Sequence, residues 1–77
     1  MLNELDRVAL TVDLPEHRLE SGDVGMIAHI YNQGEGYEVE FVTLNGDLVA
    51  LVALYPAQIR PLGNHEISHV RTVNPTN

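Results

Sequence analysis

The sequence predicts a small all-β domain. Turn-forming residues separate several short runs in which apolar and polar residues alternate, and a period of two is typical of half-buried strands. The chain has 77 residues, of which 44% are hydrophobic, so it has the composition of one folded domain with a modest core. It has no cysteine, which excludes a disulfide framework and thiolate metal sites.

The first predicted strand spans residues 7–13, because its apolar residues fall on one face: Val8, Leu10 and Val12. A loop follows over residues 14–23, marked by Pro15 and Gly22, and Leu19 is the loop residue expected in the core. The second strand is predicted over residues 24–31. Its Gly25 predicts a bulge or a close approach of another backbone.

The third strand, residues 37–43, has the clearest alternation in the chain. One face is apolar (Tyr37, Val39 and Phe41), and the other carries Glu38 and Glu40. Asn45-Gly46 predicts a two-residue type I′ turn leading into a fourth strand over residues 48–55. Residues 56–58 predict a tight turn before a short last strand, 59–62, which Pro61 should confine to an edge.

One strand, a long loop, a three-strand meander, a tight turn and a last strand together predict an SH3-like small barrel over residues 1–62. The competing OB-fold needs a helix for which the sequence has no room. Residues 63–77 are predicted as a C-terminal tail or an extra sixth strand.

Several segments resemble a family of short bacterial proteins known only as a domain of unknown function. The resemblance covers about residues 4–62, and residues 66–71 look like the family's usual ending; it implies a small β-barrel without established catalytic residues. The segments that carry it are Glu4-Leu5-Asp6-x-Val8, Leu14-Pro15-Glu16, Leu19-x-x-Gly22-Asp23-x-Gly25-x-Ile27 and Tyr37-Glu38-Val39-Glu40-Phe41. The last two are also similar to SH3-like barrels such as that of the nitrile hydratase β-subunit.

The charge of the chain limits its partners. Eleven acidic residues face four arginines and no lysine, giving a net charge of −7. Because nucleic acids and anionic membranes require clustered basic residues, neither is expected as a partner. The start of the chain lacks the pattern of a secretory signal, and no apolar run is long enough to span a membrane, so we expect a soluble cytoplasmic protein.

One motif has a catalytic pattern. His65-Glu66-Ile67-Ser68-His69 matches the His-Glu-x-x-His signature, in which a helix places two imidazoles on one Zn²⁺ ion. The β-branched residues that follow favour a strand, and the segment predicts no third ligand. We therefore predict no enzyme, no cofactor and no metal site, and keep a zinc-binding or metal-dependent hydrolase using His65 and His69 as the alternative function.

Residues 48–55 are apolar on both strand faces. Leaving one face in water forfeits burial of roughly 200 Å², about 5 kcal/mol, so the sequence predicts a cover for it. The tail, a second copy of the chain in a homodimer, or a different protein are the alternatives.

These observations favour a non-enzymatic protein-interaction module with an acidic, partly apolar surface, in its sharpest form an antitoxin or immunity-type inhibitor of a basic partner. Three acidic residues would supply the negative electrostatic field that attracts such a partner, namely Glu38, Glu40 and Asp47. Three tyrosines are candidate anchors, Tyr31, Tyr37 and Tyr55, the alternative for each being a core or rim position.

Overall fold

The computed structural model describes residues 2–74, and the ordered elements in that range are five β-strands and two short 3-10 turns. The turns are Pro15–His17 and Pro56–Gln58. The strands are β1 (Arg7–Leu10), β2 (Val24–Tyr31), β3 (Gly36–Val42), β4 (Leu48–Leu54) and β5 (Ile59–Pro61). The predicted all-β class and the predicted order of five strands are confirmed. No helix within residues 2–74 is long and apolar enough to cross a membrane.

All neighbouring strands are antiparallel and form one sheet in the order β4-β3-β2-β1-β5. β1 lies between β2 and β5, with Ala9 paired to Val24 on one side and to Arg60 on the other. The sheet does not close, because β4 and β5 form its two edges instead of pairing with each other. The prediction of a closed barrel is therefore wrong.

The β3–β4 hairpin uses a turn different from the one expected. The Asn45-Gly46 turn is not type I′, since only Gly46 of the pair has a positive φ, +92°, and its N–H donates to the carbonyl of Thr43 at 2.9 Å. The hairpin is thus a wider one, with glycine in the left-handed position after the turn. Consecutive positive φ values instead occur at three residues between β2 and β3, namely Asn32, Gln33 and Gly34.

The core lies on one face of the sheet. Val8 and Leu10 of β1 contribute to it, as do Val39 and Phe41 of β3, in agreement with the predicted alternation. Gly25 makes the predicted close approach: a Cβ there would lie 2.6 Å from Cγ1 of Val39. Because Gly25 has no side chain, the side chains of Val39 and Phe41 in β3 lie directly against the β2 backbone at this position.

The loop between β1 and β2 covers this core. The predicted core role of Leu19 is confirmed, and Leu14 joins it through a β-bridge, with both side chains less than a tenth exposed. β1 ends at Leu10, three residues earlier than predicted, and its last ladder hydrogen bond on the β5 side runs from the Thr11 N–H to the carbonyl of Gln58. The loop therefore covers the open side of the core, as the second sheet does in a β-sandwich.

Two register shifts interrupt the alternation of side chains. In β2, Ile27 pairs with Val39 and His29 with Glu38, so Ala28 is the extra residue. In β4, Val49 is the extra residue, because Phe41 pairs with Ala50 and Val42 with Leu48. As a result β2 has apolar residues on both faces, and Val49 and Ala50 both pack against the core.

The C-terminal tail forms no sixth strand over its described residues, 63–74. Two bidentate ion pairs anchor it: Glu66 binds Arg60 of β5, and Arg71 binds Asp23 at the start of β2. Its last described residue is also bound, since Nη1 of Arg18 donates to the carbonyl of Asn74. Ala9 lies between the two ion pairs and is buried, although it points away from the core. The tail thus crosses β1 on the side of the sheet opposite the core.

This path leaves β4 uncovered. β4 lies at the opposite edge of the sheet from β5, where the tail begins. The tail's own apolar side chains Ile67 and Val70 are 94% and 74% exposed, so they make little contact with the rest of the protein. The expectation that the tail covers the second face of residues 48–55 is wrong.

Candidate functional site

Exposed apolar side chains of β2, β3 and β4 lie together on the face of the sheet opposite the core. We call this surface the outer patch. Strand alternation and the two register shifts place ten residues there, which are Val24, Met26, His29, Tyr31, Glu38, Glu40, Val42, Leu48, Leu51 and Ala53.

Pairing between strands arranges these residues in rows. One row runs from Met26 through Glu40 to Leu51, and the next from His29 through Glu38 to Ala53. Side chains directly opposite each other on neighbouring strands lie about 4.5–5.5 Å apart at Cβ. Each glutamate of β3 is therefore flanked by a β4 aliphatic side chain.

The apolar members of the outer patch are about half exposed. Leu48 is 52% exposed, Leu51 and Val42 are each 49% exposed, and Val24 is 47% exposed. A single exposed leucine is ordinary, whereas several neighbouring exposed apolar side chains on one face of a sheet are unusual. The outer patch satisfies this second condition.

Acidic and aromatic groups border the apolar side chains. The rings of His29 and Tyr31 contact edge to face, with centroids 4.7 Å apart. Nδ1 of His29 lies 3.8 Å from Oε2 of Glu4. Partial desolvation, and then the neighbouring Glu38 carboxylate, raise the pKa of the Tyr31 phenol above 10.0. The outer patch therefore combines carboxylates with exposed apolar side chains.

The structure brings together three of the six partner-binding residues predicted from the sequence: Tyr31, Glu38 and Glu40. Tyr37 is 8% exposed and belongs to the core, so it takes the core position that the sequence left open as the alternative to an interface anchor. Tyr55 is 73% exposed but follows the end of β4, and Asp47 lies in the β3–β4 turn, where its carbonyl accepts from the Thr43 N–H.

Sequence reasoning missed His29, Met26 and Val24 as members of the patch. The signal was present, since residues 24–31 have apolar side chains in both phases, but the bulge at Ala28 hides the period of two. The apolar character of residues 48–55 did identify the β4 side of the patch.

The His-Glu-x-x-His segment lacks the helix that zinc chemistry needs. Residues 65–69 are irregular, so a spacing of four does not place His65 and His69 on one face. Glu66 is already engaged, with one oxygen 2.8 Å from Nη1 of Arg60 and the other 2.5 Å from Nη2. Its hydrogen bonds with Arg60, and then with the Gly63 N–H, lower the pKa of Glu66 to about 2. Within residues 2–74, no three His, Cys, Asp or Glu side chains group as metal ligands.

Comparisons with known proteins identify the family and go no further. No curated protein and no solved structure matches the chain, so the SH3-like and nitrile hydratase likenesses stay predictions. A family model does match residues 4–61, about three quarters of the chain. This protein therefore belongs to the family described as a domain of unknown function (DUF4926).

Proposed function

We propose that this protein is a non-enzymatic interaction module that binds another protein, in the cytoplasm, through the outer patch. The observation that carries the proposal is the half exposure of Val42, Leu48 and Leu51 beside the carboxylates of Glu38 and Glu40. A flat surface of this kind supplies apolar area for affinity and charge for selection.

The path of the tail supports this proposal. The tail is fixed over β1 by Arg60–Glu66 and Arg71–Asp23, and it leaves the β4 side of the sheet free. A partner can therefore approach the outer patch without displacing a described segment of the chain.

The charge of the patch selects the partner. Glu38 and Glu40 lie on the patch itself, and the whole chain carries a net charge of −7. A complementary partner presents arginine or lysine around an apolar centre, and mutual attraction raises the rate of encounter. In its most specific form the partner is a toxin whose basic active site the patch covers, which makes the protein an antitoxin or immunity-type inhibitor.

The proposal is tested by charge reversal on the patch. Immobilised wild-type protein is compared with the double variant Glu38→Lys/Glu40→Lys for capture of proteins from its native cell lysate. The control is Glu16→Lys/Glu35→Lys, which makes the same change in charge at two exposed positions outside the patch.

We expect a basic protein that is captured by the wild type and the control but lost with the patch variant. Its association rate with purified wild-type protein should fall steeply as salt rises, because screening weakens attraction between exposed charges. Equal capture by all three proteins, or association that does not change with salt, contradicts the proposal.

A further inference from the structure

The free edge of β4 consists of backbone N–H and C=O groups and borders the outer patch, to which Leu48, Leu51 and Ala53 of the same strand belong. β4 pairs with β3 on one side only, and no described segment bonds to its other side. Its sequence, Leu-Val-Ala-Leu-Val-Ala-Leu, contains no charge, proline or glycine. Native proteins normally protect an exposed edge with such residues, because an unprotected apolar edge pairs with another strand.

From this geometry we infer that two copies of the chain pair through their β4 edges, antiparallel and centred on Leu51, to form one continuous ten-stranded sheet. The inference does not depend on the proposed function, since the backbone edge of β4 makes the pairing, although Leu51 at its centre also belongs to the outer patch.

The sequence of β4 is self-complementary about Leu51, its middle residue. Antiparallel pairing centred there places Leu51 opposite its own copy and Ala50 opposite Val52. A small side chain then faces a larger one on the core side, where both residues are half-buried. Pairing ends at Pro56, which has no N–H to donate.

The charges of the chain are compatible with this pairing of two copies. No acidic residue lies within β4, and Asp47 at one end comes opposite Tyr55 of the copy. The two Glu40 side chains are three strand spacings apart, about 14 Å, which exceeds the Debye length of about 8 Å at physiological salt. Because the copies repel at long range with −7 each, dimerisation should strengthen as salt rises.

The interface is small. Seven strand residues bury less than the roughly 800 Å² per partner of a standard interface, so we expect a dissociation constant in the micromolar range. The register shift at Val49 loosens both ends of the symmetric pairing, because Val49 of each copy lies opposite Ala53 of the other, and the firmest pairing should involve residues 50–52.

The test is sedimentation equilibrium of the full chain as a function of concentration. Leu51→Lys places two ammonium groups opposite each other and should weaken dimerisation at least about tenfold. The same holds for Leu51→Glu with two carboxylates. Leu44→Lys is the matched control, because Leu44 is 97% exposed at the β3–β4 turn and lies outside the edge.

Mixing the two Leu51 variants supplies the decisive result. A mixture of Leu51→Lys and Leu51→Glu should dimerise where neither does alone, because the unlike charges then meet at the centre. Backbone amides of β4 in the wild-type protein should also exchange hydrogen more slowly as its concentration rises. This readout does not depend on whether the variants fold well.

Three outcomes overturn the inference. The first is a wild-type protein that stays monomeric at millimolar concentration, which would leave the edge to a different protein. The second is a mixture that does not dimerise although circular dichroism shows both variants folded. The third is a dimer whose formation leaves the exchange of the β4 amides unchanged, since this indicates contact through another surface.

Discussion

Arg71 binds Asp23 across 48 residues of sequence, with its Nε 3.0 Å from Oδ1 and its Nη2 on Oδ2 of the same carboxylate. Nη2 also donates to the carbonyl of Arg18 at 2.9 Å. The two charged side chains are only 27% and 21% exposed. Burial raises the pKa of Asp23, but the hydrogen bonds from Arg71 and from the Glu20 N–H lower it by more, so the net shift of the pKa is downward. This partly buried ion pair therefore fixes the tail to the start of β2.

Replacing Arg71 should release the tail. We expect Arg71→Ala to lower the free energy of unfolding by about 1 kcal/mol, since a two-point, partly buried pair exceeds the usual value of an exposed one. Limited proteolysis within residues 63–74 should become several-fold faster. Arg7→Ala is the control, because Arg7 is an exposed arginine of β1. Equal cleavage rates in the wild type and Arg71→Ala would show that this contact does not hold the tail.

The second anchor should respond to acid. Glu66 has its folded-state pKa lowered from 4.5 to about 2 by Arg60 and the Gly63 N–H. A lowered pKa means that the contact stabilises the fold fully above pH 4.5, and that this contribution is lost as the pH falls through about 2. NMR titration of the Glu66 carboxyl should therefore give a midpoint near 2. In Arg60→Gln the midpoint should move up towards 4.5, and an unmoved midpoint would refute the role of Arg60.

Gly25 should not tolerate a side chain. A Cβ there would lie 2.6 Å from Val39 Cγ1 and 2.9 Å from the Glu40 carbonyl oxygen, and the backbone atom cannot simply rotate away. We expect Gly25→Ala to destabilise the protein by roughly 1–3 kcal/mol in urea unfolding, as overpacking does. Gly36→Ala is the matched control, since its nearest contact would be 3.6 Å away. Similar losses from both substitutions would contradict this account of Gly25.

The alternation of residues 37–41 was sufficient to predict β3 and both of its faces, because Tyr37, Val39 and Phe41 are buried as expected. The bulges at Ala28 and Val49 could not be predicted in this way. Each depends on how two strands pair, and neither an alanine nor a valine is a sequence signal for a bulge. They nevertheless decide which side chains of β2 and β4 join the outer patch.

The failure to predict an open sheet has a similar cause. Strand order follows from short loops, whereas closure requires the last strand to reach the fourth, and β5 has only three residues. The loop residues Leu14 and Leu19 cover the core instead. Likewise, the position of the tail depends on Arg71 and Asp23, which are far apart in sequence and carry no local signal of contact.

The last prediction concerns Tyr31 on the outer patch. The pKa of its phenol is raised first by partial desolvation and then by the charge of Glu38, because a nearby anion disfavours phenolate. Glu38→Gln removes that charge and should lower the pKa of Tyr31, measured by the Cζ chemical shift in an NMR titration that resolves the three tyrosines. Glu40→Gln is the control, since Glu40 pairs with Met26 and Leu51 and is not among the groups that shift the pKa of Tyr31. If the two variants move the Tyr31 midpoint equally, Glu38 and Tyr31 do not interact in the way the patch geometry requires.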